Sequence, residues 1–392
     1  MALSLLLLIL LTGNFHGVEP FSAQQRTSPP SFAWSLAALT SSAELPGETG
    51  RRLVDVVCLV TGASRGIGKG IAMALAKEGA TVYVTGTSSR AATPTLNAQQ
   101  YSTNDNVGGP GTIEDTAQAV TAAGGVGIPV LCNHADDRQV KALFDQIETT
   151  HGRLDLLVNN VFRVPPGGAD GLFGKFYELP MDTWDTLFDV GVRAQYVASV
   201  CAIPLLLKSR STTKLPRPFI AMVSSFGGLT YTFNVPYGVG KAAIDRMAKD
   251  MAIELCADDI AVTSFWPGVV FTERTERMVK TGEWQSKVGI PLENSESPEF
   301  TGRAIVAVAT DTKNMNKSGT TQVVAELAQA YKFTDTNGRT PPSIRSLRFL
   351  LPAYGMDEAM RSKVPISLIP DWKLPFWIMA NGKPPEKKET SP

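Results

Sequence analysis

The sequence is poor in cysteine: Cys58, Cys132, Cys201 and Cys256 are scattered, with no paired spacing. Paired spacings are typical of disulfide frameworks and zinc sites, so their absence favours buried free thiols and argues against a metal centre. The chain also lacks an excess of either charge, since 37 basic and 37 acidic residues balance. A nucleic-acid binder normally has a basic surplus, so no nucleic-acid partner is expected. Hydrophobic residues make up 43% of the chain, which is enough for a sizeable core.

The N-terminal apolar run lacks the basic residues that usually precede one. The run "MALSLLLLILLTG" is too short to span a bilayer comfortably and is similar to the apolar region of a secretory signal. The residues that follow, to about 50, are rich in Ser, Thr and Pro and poor in acids. We interpret residues 1–50 as a targeting leader to the endoplasmic reticulum or another endomembrane compartment. A two-part plastid address and a disordered extension are the alternatives.

From residue 53 onward, short β-branched apolar runs alternate with amphipathic segments of helical period. This alternation predicts right-handed βαβ units and an α/β fold, a Rossmann-like doubly wound parallel sheet with helices on both faces. We assign it to a single domain over residues 51–335. Residues 87–111 are predicted to form a polar insertion, and residues 336–392 a C-terminal extension.

The glycine-rich stretch "TGASRGIG" follows the first predicted strand and opens the first predicted helix. Glycines there permit a tight turn and close backbone approach to a pyrophosphate, and the helix N-terminus offers free N–H groups. The stretch therefore predicts a dinucleotide site. Its candidate cofactor-binding residues are Gly62, Ser64, Arg65, Gly66, Ile67 and Gly68.

The end of the second predicted strand lacks the acid that an NAD site usually places there for the ribose 2′-hydroxyl. The segment "VYVTGTSSR" offers Thr87, Ser88 and Arg90 instead, and Arg65 lies in the glycine turn. Guanidinium and hydroxyl groups bind a 2′-phosphate, which a carboxylate would repel. NADP(H) is therefore favoured over NAD(H).

The stretch "NVPYGVGKAAID" places Tyr237 four residues before Lys241, on one face of a predicted helix. An unperturbed tyrosine titrates near pH ~10, and a nearby ammonium favours its phenolate. Alone, this spacing is common by chance and would favour a packed tyrosine and a solvated lysine over a catalytic pair. With the glycine turn upstream and two serines shortly before it, we interpret the pair as acid–base machinery.

The motifs "TGASRGIG", "NN", "YGVGK" and "PGVVFT", in this order, resemble those of the short-chain dehydrogenase/reductase family over about residues 53–330. The resemblance implies a nicotinamide cofactor and catalysis by tyrosine, lysine and serine, here Tyr237, Lys241 and one of two serines. Aligning the strand end selects Ser225, which we favour, whereas counting back from the tyrosine gives Ser224.

The resemblance implies further contacts to the cofactor and also shows two departures. Tyr237 and Lys241 are themselves expected to contact it. The other implied cofactor-binding residues are Asn133, His134, Asn159, Asn160, Pro267, Gly268, Val270 and Thr272. The chain departs from the family at "NNVF", where small residues are usual, and at Gly191, where the family has an asparagine.

The expected activity is NADP(H)-dependent hydride transfer to a carbonyl or from a secondary alcohol, as in a carbonyl reductase or alcohol dehydrogenase. The resemblance implies that two loops, residues 161–180 and 271–294, cover the substrate, and their aromatic and apolar residues suit a small hydrophobic compound. The alternative is a non-catalytic nucleotide-binding regulatory or scaffold protein of the same fold. The C-terminal segment "DWKLPFWIMANGK" has two interpretations, a peripheral membrane contact and packing on the domain. A homo-oligomer is a further open alternative.

Overall fold

The computed structural model describes residues 51–90, 111–165, 170–356 and 358–381. Seven parallel strands form one sheet in the order β3-β2-β1-β4-β5-β6-β7, which confirms the predicted doubly wound fold. The predicted leader, residues 1–50, and most of the polar insertion lie outside the described residues. The strands are β1 Val57–Val60, β2 Thr81–Gly86, β3 Val126–Leu131, β4 Leu156–Asn159, β5 Phe219–Val223, β6 Ala261–Trp266 and β7 Thr321–Val323.

Helices cover both faces of this sheet because adjacent strand residues point to opposite sides. Val60 packs on one face, among side chains of α1, α2, α9 and α10, and Leu59 packs on the other, among those of α3, α5 and α6. The helices are α1 Gly66–Lys77, α2 Ile113–Ala122, α3 Asp137–His151, α4 Asp182–Phe188, α5 Ala194–Ser209, α6 Val235–Glu254, α7 Glu273–Lys280, α8 Glu283–Lys287, α9 Pro298–Ala309, α10 Val324–Tyr331, α11 Leu347–Leu350, α12 Glu358–Lys363 and α13 Phe376–Asn381.

The cysteines follow the expectation in part. Cys58 and Cys132 are buried, and burial raises the pKa of both thiols. The prediction of a buried thiol was wrong for Cys256, which is exposed, because this residue follows the end of α6 and lies outside the core.

The helical stretch between β4 and β5 is interrupted. A π turn, Asp189–Arg193, separates α4 from α5 and contains the buried Gly191. The stretch 182–209 is long and apolar enough to cross a membrane by length and composition alone. However, half of its most apolar window is buried in the fold, and residues such as Ala198 and Leu205 of α5 pack against the sheet. These contacts identify α5 as a core helix.

The C-terminal segment packs over the ends of β6 and β7. Ile344 and Phe349 join a hydrophobic cluster with Trp266, and the ring of Phe376 meets Trp266 edge-on at 5.7 Å between centroids. Arg345 forms an ion pair with a glutamate of α10 and lies 4.4 Å from the centroid of the Phe376 ring. This segment therefore covers the edge of the sheet at which parallel strands end.

The packing of α1 against the start of α9 depends on close backbone contact at Gly70. A Cβ atom at Gly70 would lie 2.1 Å from the carbonyl carbon of Pro298, which is too close for any real contact. Gly70→Ala is therefore expected to lower the free energy of unfolding by about 1–3 kcal/mol, because the two helices must separate. Urea unfolding measures this loss. Lys69→Ala, on the same helix, is the control, and equal midpoints for the two variants would contradict the close-packing account.

Candidate active site

The predicted site residues lie where the central strands end. The glycine turn follows β1, Asn160 follows β4, Ser225 lies two residues after β5, and Pro267 follows β6. The strand order reverses between β1 and β4, which opens a crevice at their carboxyl ends. Ligands of open α/β sheets bind in such a crevice.

The glycine turn has the shape of a cradle for a pyrophosphate. Gly62 has a φ of +66°, a conformation that favours glycine. A Cβ atom at Gly68 would lie 2.3 Å from the carbonyl oxygen of Gly62, so no larger residue fits there. Asn160 holds the turn to β4, since its Nδ2 donates to the carbonyl oxygens of Thr61 at 2.9 Å and Gly62 at 3.0 Å.

An anionic group already lies at the N-terminus of α1. The residue before this helix, Arg65, provides no side-chain cap, and the backbone N–H of Gly66 donates instead to Glu273 Oε2 at 3.0 Å. Glu273 is the first residue of α7, in one of the two loops expected to cover the substrate. The turn therefore binds a carboxylate oxygen at the place where a phosphate oxygen is expected.

Arg65 spans the gap between the glycine turn and the end of β2. Its Nη2 donates to Ser88 Oγ at 2.8 Å and to the carbonyl oxygen of Gly111 at 2.7 Å. Its Nε is buried with no hydrogen-bond partner among the described residues, and burial lowers the pKa of this guanidinium. Thr87, the residue before Ser88, is exposed. The fourth candidate, Arg90, instead pairs with Asp115 at the start of α2.

Asn133 and His134, which follow β3 after Cys132, have different surroundings. The amide oxygen of Asn133 accepts from the backbone N–H of Ala135 at 3.2 Å and from Arg163 at 3.3 Å. His134 is buried, one ring nitrogen lies 2.8 Å from the hydroxyl of Thr85, and burial lowers its pKa to about 4. His134 therefore stays neutral, and its buried ring contacts Thr85 of β2.

Asn159 is fully buried at the end of β4. Its Nδ2 donates to the hydroxyl of Ser199 on α5 at 2.9 Å and lies 3.2 Å from the sulfur of Met222 on β5. This side chain joins the centre of the sheet to a helix, and its amide oxygen has no described partner.

Tyr237 lies in the first turn of α6, which is capped by Asn234. The Asn234 amide oxygen accepts from the backbone N–H of Tyr237 at 2.9 Å. The Tyr237 hydroxyl lies near the side chain of Ser225, and burial raises the pKa of the phenol while the interaction with Ser225 opposes the rise. Ser224, by contrast, donates its hydroxyl to the carbonyl oxygen of Lys241 at 3.1 Å. The two neighbouring serines thus face different groups.

The Lys241 side chain is buried one turn further along α6. Its Nζ donates to the carbonyl oxygen of Val223 at 3.4 Å, and it lies 5.8 Å from the centroid of the Tyr237 ring. Burial lowers the pKa of Lys241 to about 8, and the nearby Asp245 opposes that shift. The ammonium is therefore close to a balance between its charged and neutral forms at mildly alkaline pH.

The two departures at "NNVF" and Gly191 meet in space. The ring of Phe162 lies beside Gly191, where a Cβ atom would be 3.5 Å from its Cδ2. The same ring packs edge-on against Tyr237, with 6.0 Å between centroids, and Lys241 Nζ lies 5.2 Å from its centroid. A small cavity, with room for about one water molecule, lies between these residues.

More aromatic rings extend from Tyr237 toward the covering loop. Phe233 packs edge-on against Tyr237 at 4.9 Å, and Phe173 packs against Phe233 at 5.3 Å. Phe233 has a φ of +61°, which is strained for an aromatic residue. The hydroxyl of Tyr231 donates to the carbonyl oxygen of Phe233, and Asn234 donates to that of Leu172 at 3.0 Å. These bonds hold the strained turn in place.

The loop after β6 brings the last group of predicted residues to the same edge. Pro267 is buried and Gly268 follows it. The carbonyl oxygen of Val270 accepts from Thr275, and Thr272 caps α7. No contact in the described structure assigns these residues to a ligand.

Sequence reasoning missed Glu296. Its carboxyl is fully buried, and a Cβ atom at Gly268 would lie 2.7 Å from its Oε1. No side-chain hydrogen bond to this carboxyl is found among the described residues. Burial raises the pKa of Glu296 to about 8, although the Gly268 backbone N–H opposes the shift. Glu296 is therefore neutral at physiological pH. Its position in a run of polar residues, "ENSES", gave no sign of burial.

Two family models match the chain. One, described as Enoyl-(Acyl carrier protein) reductase, matches residues 108–324, and one described as short chain dehydrogenase matches residues 56–126. A solved structure of a putative dehydrogenase from Xanthomonas campestris has 25% sequence identity and a TM-score of 0.58. It covers 74% of this chain and 94% of its own.

Two relatives match most of the chain. The Dehydrogenase/reductase SDR family member 1 of Mus musculus is 36% identical over 329 residues, which is 82% of this chain and 95% of the relative. The protein of the same name from Homo sapiens is 35% identical over 330 residues, which is 83% of this chain and 96% of the relative.

The buried Glu296 makes stability depend on pH. Its pKa in the folded protein is about 8, above its ordinary value of 4.5, so between these values the unfolded chain loses a proton that the folded chain keeps. Rising pH therefore destabilises the wild type through this group. The stability advantage of Glu296→Gln over the wild type should grow by ~1.4 kcal/mol per pH unit within that window. Urea unfolding from about pH 5.5 to 7.5 measures it, and parallel curves would mean that Glu296 folds ionised.

Proposed function

Because this chain belongs to the short-chain dehydrogenase/reductase family, an oxidoreductase family that uses a nicotinamide cofactor, we propose that it is an NADP(H)-dependent carbonyl reductase or alcohol dehydrogenase. The substrate is a hydrophobic carbonyl compound or the corresponding secondary alcohol. The observation that carries the proposal is the meeting of three side chains: the buried Lys241 Nζ lies 5.8 Å from the centroid of the Tyr237 ring, and Ser225 lies near the Tyr237 hydroxyl.

The residues of the crevice fit a dinucleotide. The glycine turn has no room for side chains at Gly68, and its helix N-terminus already binds the carboxylate of Glu273. A pyrophosphate would take that place and displace the carboxylate by charge repulsion. The other residues that would hold the cofactor are Ser64, Ile67, Asn160, Val270 and Thr272, with Lys241 on the nicotinamide ribose. When bound, the cofactor supplies or accepts the hydride.

Arg65 supports the choice of NADP(H). Its guanidinium and the Ser88 hydroxyl lie hydrogen-bonded to each other at the end of β2, where the adenosine ribose is expected. The N–H of its buried Nε has no acceptor among the described residues. A buried donor without an acceptor costs free energy, which a bound acceptor would recover. A 2′-phosphate provides such acceptors. Arg90 contributes less, because Asp115 already neutralises it.

Tyr237 is the proton donor and acceptor in this proposal. In reduction, its hydroxyl gives a proton to the substrate oxygen, and in oxidation it removes the alcohol proton. Burial alone raises the pKa of the phenol, so the site must stabilise the phenolate by other means. The Lys241 ammonium provides a positive charge on the same helix face, and the Ser225 hydroxyl provides a hydrogen bond.

Ser225 is the serine that we assign to the substrate oxygen. Its side chain lies near the Tyr237 hydroxyl, so we infer that both can reach one oxygen atom, whereas the Ser224 hydroxyl donates to the backbone of α6. The direction of β5 explains this difference, because successive residues of an extended strand point to opposite faces.

The substrate class follows from the rings around Tyr237. Phe162 and Phe233 contact its ring directly, and Phe173 continues the wall. On the side of Ser225, Phe226 and Leu229 pack against the hydrophobic cluster beneath the C-terminal segment. Such surroundings favour an apolar carbonyl compound over a polar one.

The decisive variant for this function is Tyr237→Phe. It keeps the ring contacts and removes the hydroxyl, so kcat for reduction of hydrophobic ketones and quinones should fall by roughly 10²–10⁴-fold. NADPH oxidation, followed by absorbance, measures the rate, and the NADPH dissociation constant should stay close to that of the wild type. Ser225→Ala should lower kcat by roughly 10²–10³-fold, and Ser224→Ala, the matched control, far less.

The alternative, a non-catalytic nucleotide-binding protein, makes the opposite prediction. NADPH would bind and raise the melting temperature, but no carbonyl in a broad panel would be reduced by the wild type. Activity that persists in Tyr237→Phe would instead overturn the assigned chemistry while leaving the enzyme class intact.

Cofactor choice is tested at Arg65. Arg65→Ala should weaken NADPH binding by roughly 10-fold or more, because a charge-assisted hydrogen bond to phosphate is lost, and it should affect NADH little. Fluorescence titration gives both dissociation constants, with Arg90→Ala as the comparison that loses less. An equal loss for the two cofactors would show that Arg65 supports the fold of the turn and not the 2′-phosphate.

A further inference from the structure

We propose that Phe162 is a positioning residue for Lys241: its ring fills the space beside Gly191 and holds the buried ammonium against its π face, next to Tyr237. This inference rests on the proposed function for its catalytic consequence. The contact itself is independent of any cofactor, so it can be tested without turnover.

The first step is the poor solvation of the Lys241 ammonium. The group has three N–H donors, and within the described part of the chain the one acceptor it reaches is the carbonyl oxygen of Val223. That bond is long, at 3.4 Å. A buried ammonium with unfilled donors is costly, and an aromatic face is the next best partner for a cation.

The second step is the geometry of the ring. Lys241 Nζ lies 5.2 Å from the centroid of Phe162, closer than to that of Tyr237 at 5.8 Å, and both are within the range of cation–π attraction. Phe162 also meets Tyr237 edge-on, so one ring contacts both members of the proposed acid–base pair.

The third step explains why the ring can be there. Gly191 lies in the π turn between α4 and α5, where a Cβ atom would come within 3.5 Å of Phe162 Cδ2. A longer side chain at position 191 would therefore take the space of the phenyl ring. Phe162 and Gly191 are two separate departures in the sequence, and in the structure they form one packing unit.

Few other charges act on this ammonium. On α6 itself, Asp245 favours the charged form but is hydrogen-bonded to Ser264 and Trp266 of β6, and Tyr237 is the titratable neighbour. From β5 comes the carbonyl oxygen of Val223. The charged side chains of the π turn, Asp189 and Arg193, are exposed.

The consequence has a definite sign. Ring contact favours the charged form of Lys241, so removing the ring lowers the pKa of the lysine below its value of about 8. At neutral and alkaline pH a larger fraction of Lys241 would then be uncharged. The phenolate of Tyr237 loses its electrostatic support in that fraction.

The test is a direct titration of the lysine. Protein labelled with ¹³C at the lysine ε carbon is titrated by NMR without cofactor, and the Lys241 resonance is identified by its loss in Lys241→Arg. Phe162→Leu keeps the apolar volume but removes the π face, so the midpoint should fall by on the order of one pH unit. Phe162→Met, a second ring-free variant, should shift it in the same direction.

Two controls separate the ring contact from general packing. Phe162→Tyr retains a ring and should keep the wild-type midpoint, and Phe173→Leu, the same substitution at an aromatic residue remote from Lys241, should leave it unchanged. In the active enzyme the high-pH limb of kcat/KM should move with the midpoint in Phe162→Leu. An unchanged midpoint in both ring-free variants overturns the proposal. If the wild type reduces no carbonyl, the proposed function fails, but the titration still decides the role of Phe162.

Discussion

The burial of one ammonium group, that of Lys241, is the constraint on which the site depends. Withdrawing a charge from water is costly unless the surroundings replace the solvent. The structure replaces water with the Val223 carbonyl, two aromatic rings and the field of Asp245. The replacement is incomplete, so the pKa of Lys241 is lowered. A lysine poised in this way is sensitive to every group that contacts it.

The parallel sheet explains how these groups come together. Its strands end at one edge, and the turns after β1, β4, β5 and β6 converge there although they are far apart in the chain. The glycine turn, Phe162 after β4 and Ser225 after β5 are therefore neighbours by topology. Helix α6 then supplies the tyrosine and lysine on one face. Helix α7 and the C-terminal segment pack at the same edge of the sheet, through Glu273 at the glycine turn and Phe376 at Trp266.

Much of this arrangement could be predicted from the sequence, because the fold depends on local patterns. Alternating apolar runs and amphipathic segments predicted the sheet and its helices, and the glycine turn and the Tyr237–Lys241 spacing indicated the crevice. The end of the predicted strand favoured Ser225 over Ser224, and that choice stays a prediction. The departures at Phe162 and Gly191 could not be connected, since their contact spans two elements and a π turn that has no sequence signature. Glu296 was missed for a similar reason: a carboxylate in a polar run is normally solvated, and only tertiary packing buries it.

The central claim is that Tyr237 is an acid–base group and that the positive charges of Lys241 and of the bound nicotinamide lower its pKa. The most direct measurement is the titration of Tyr237 in protein labelled with ¹³C at the tyrosine ζ carbon, without cofactor and with NADP⁺. The account predicts a high pKa in the free protein, where burial dominates, and a clear fall with NADP⁺, whose nicotinamide adds a positive charge to that of Lys241. In Lys241→Met the phenol pKa should be higher than in the wild type both with and without NADP⁺, because one of the two positive charges is lost. A phenol that titrates at the same pH with and without NADP⁺ would contradict the account.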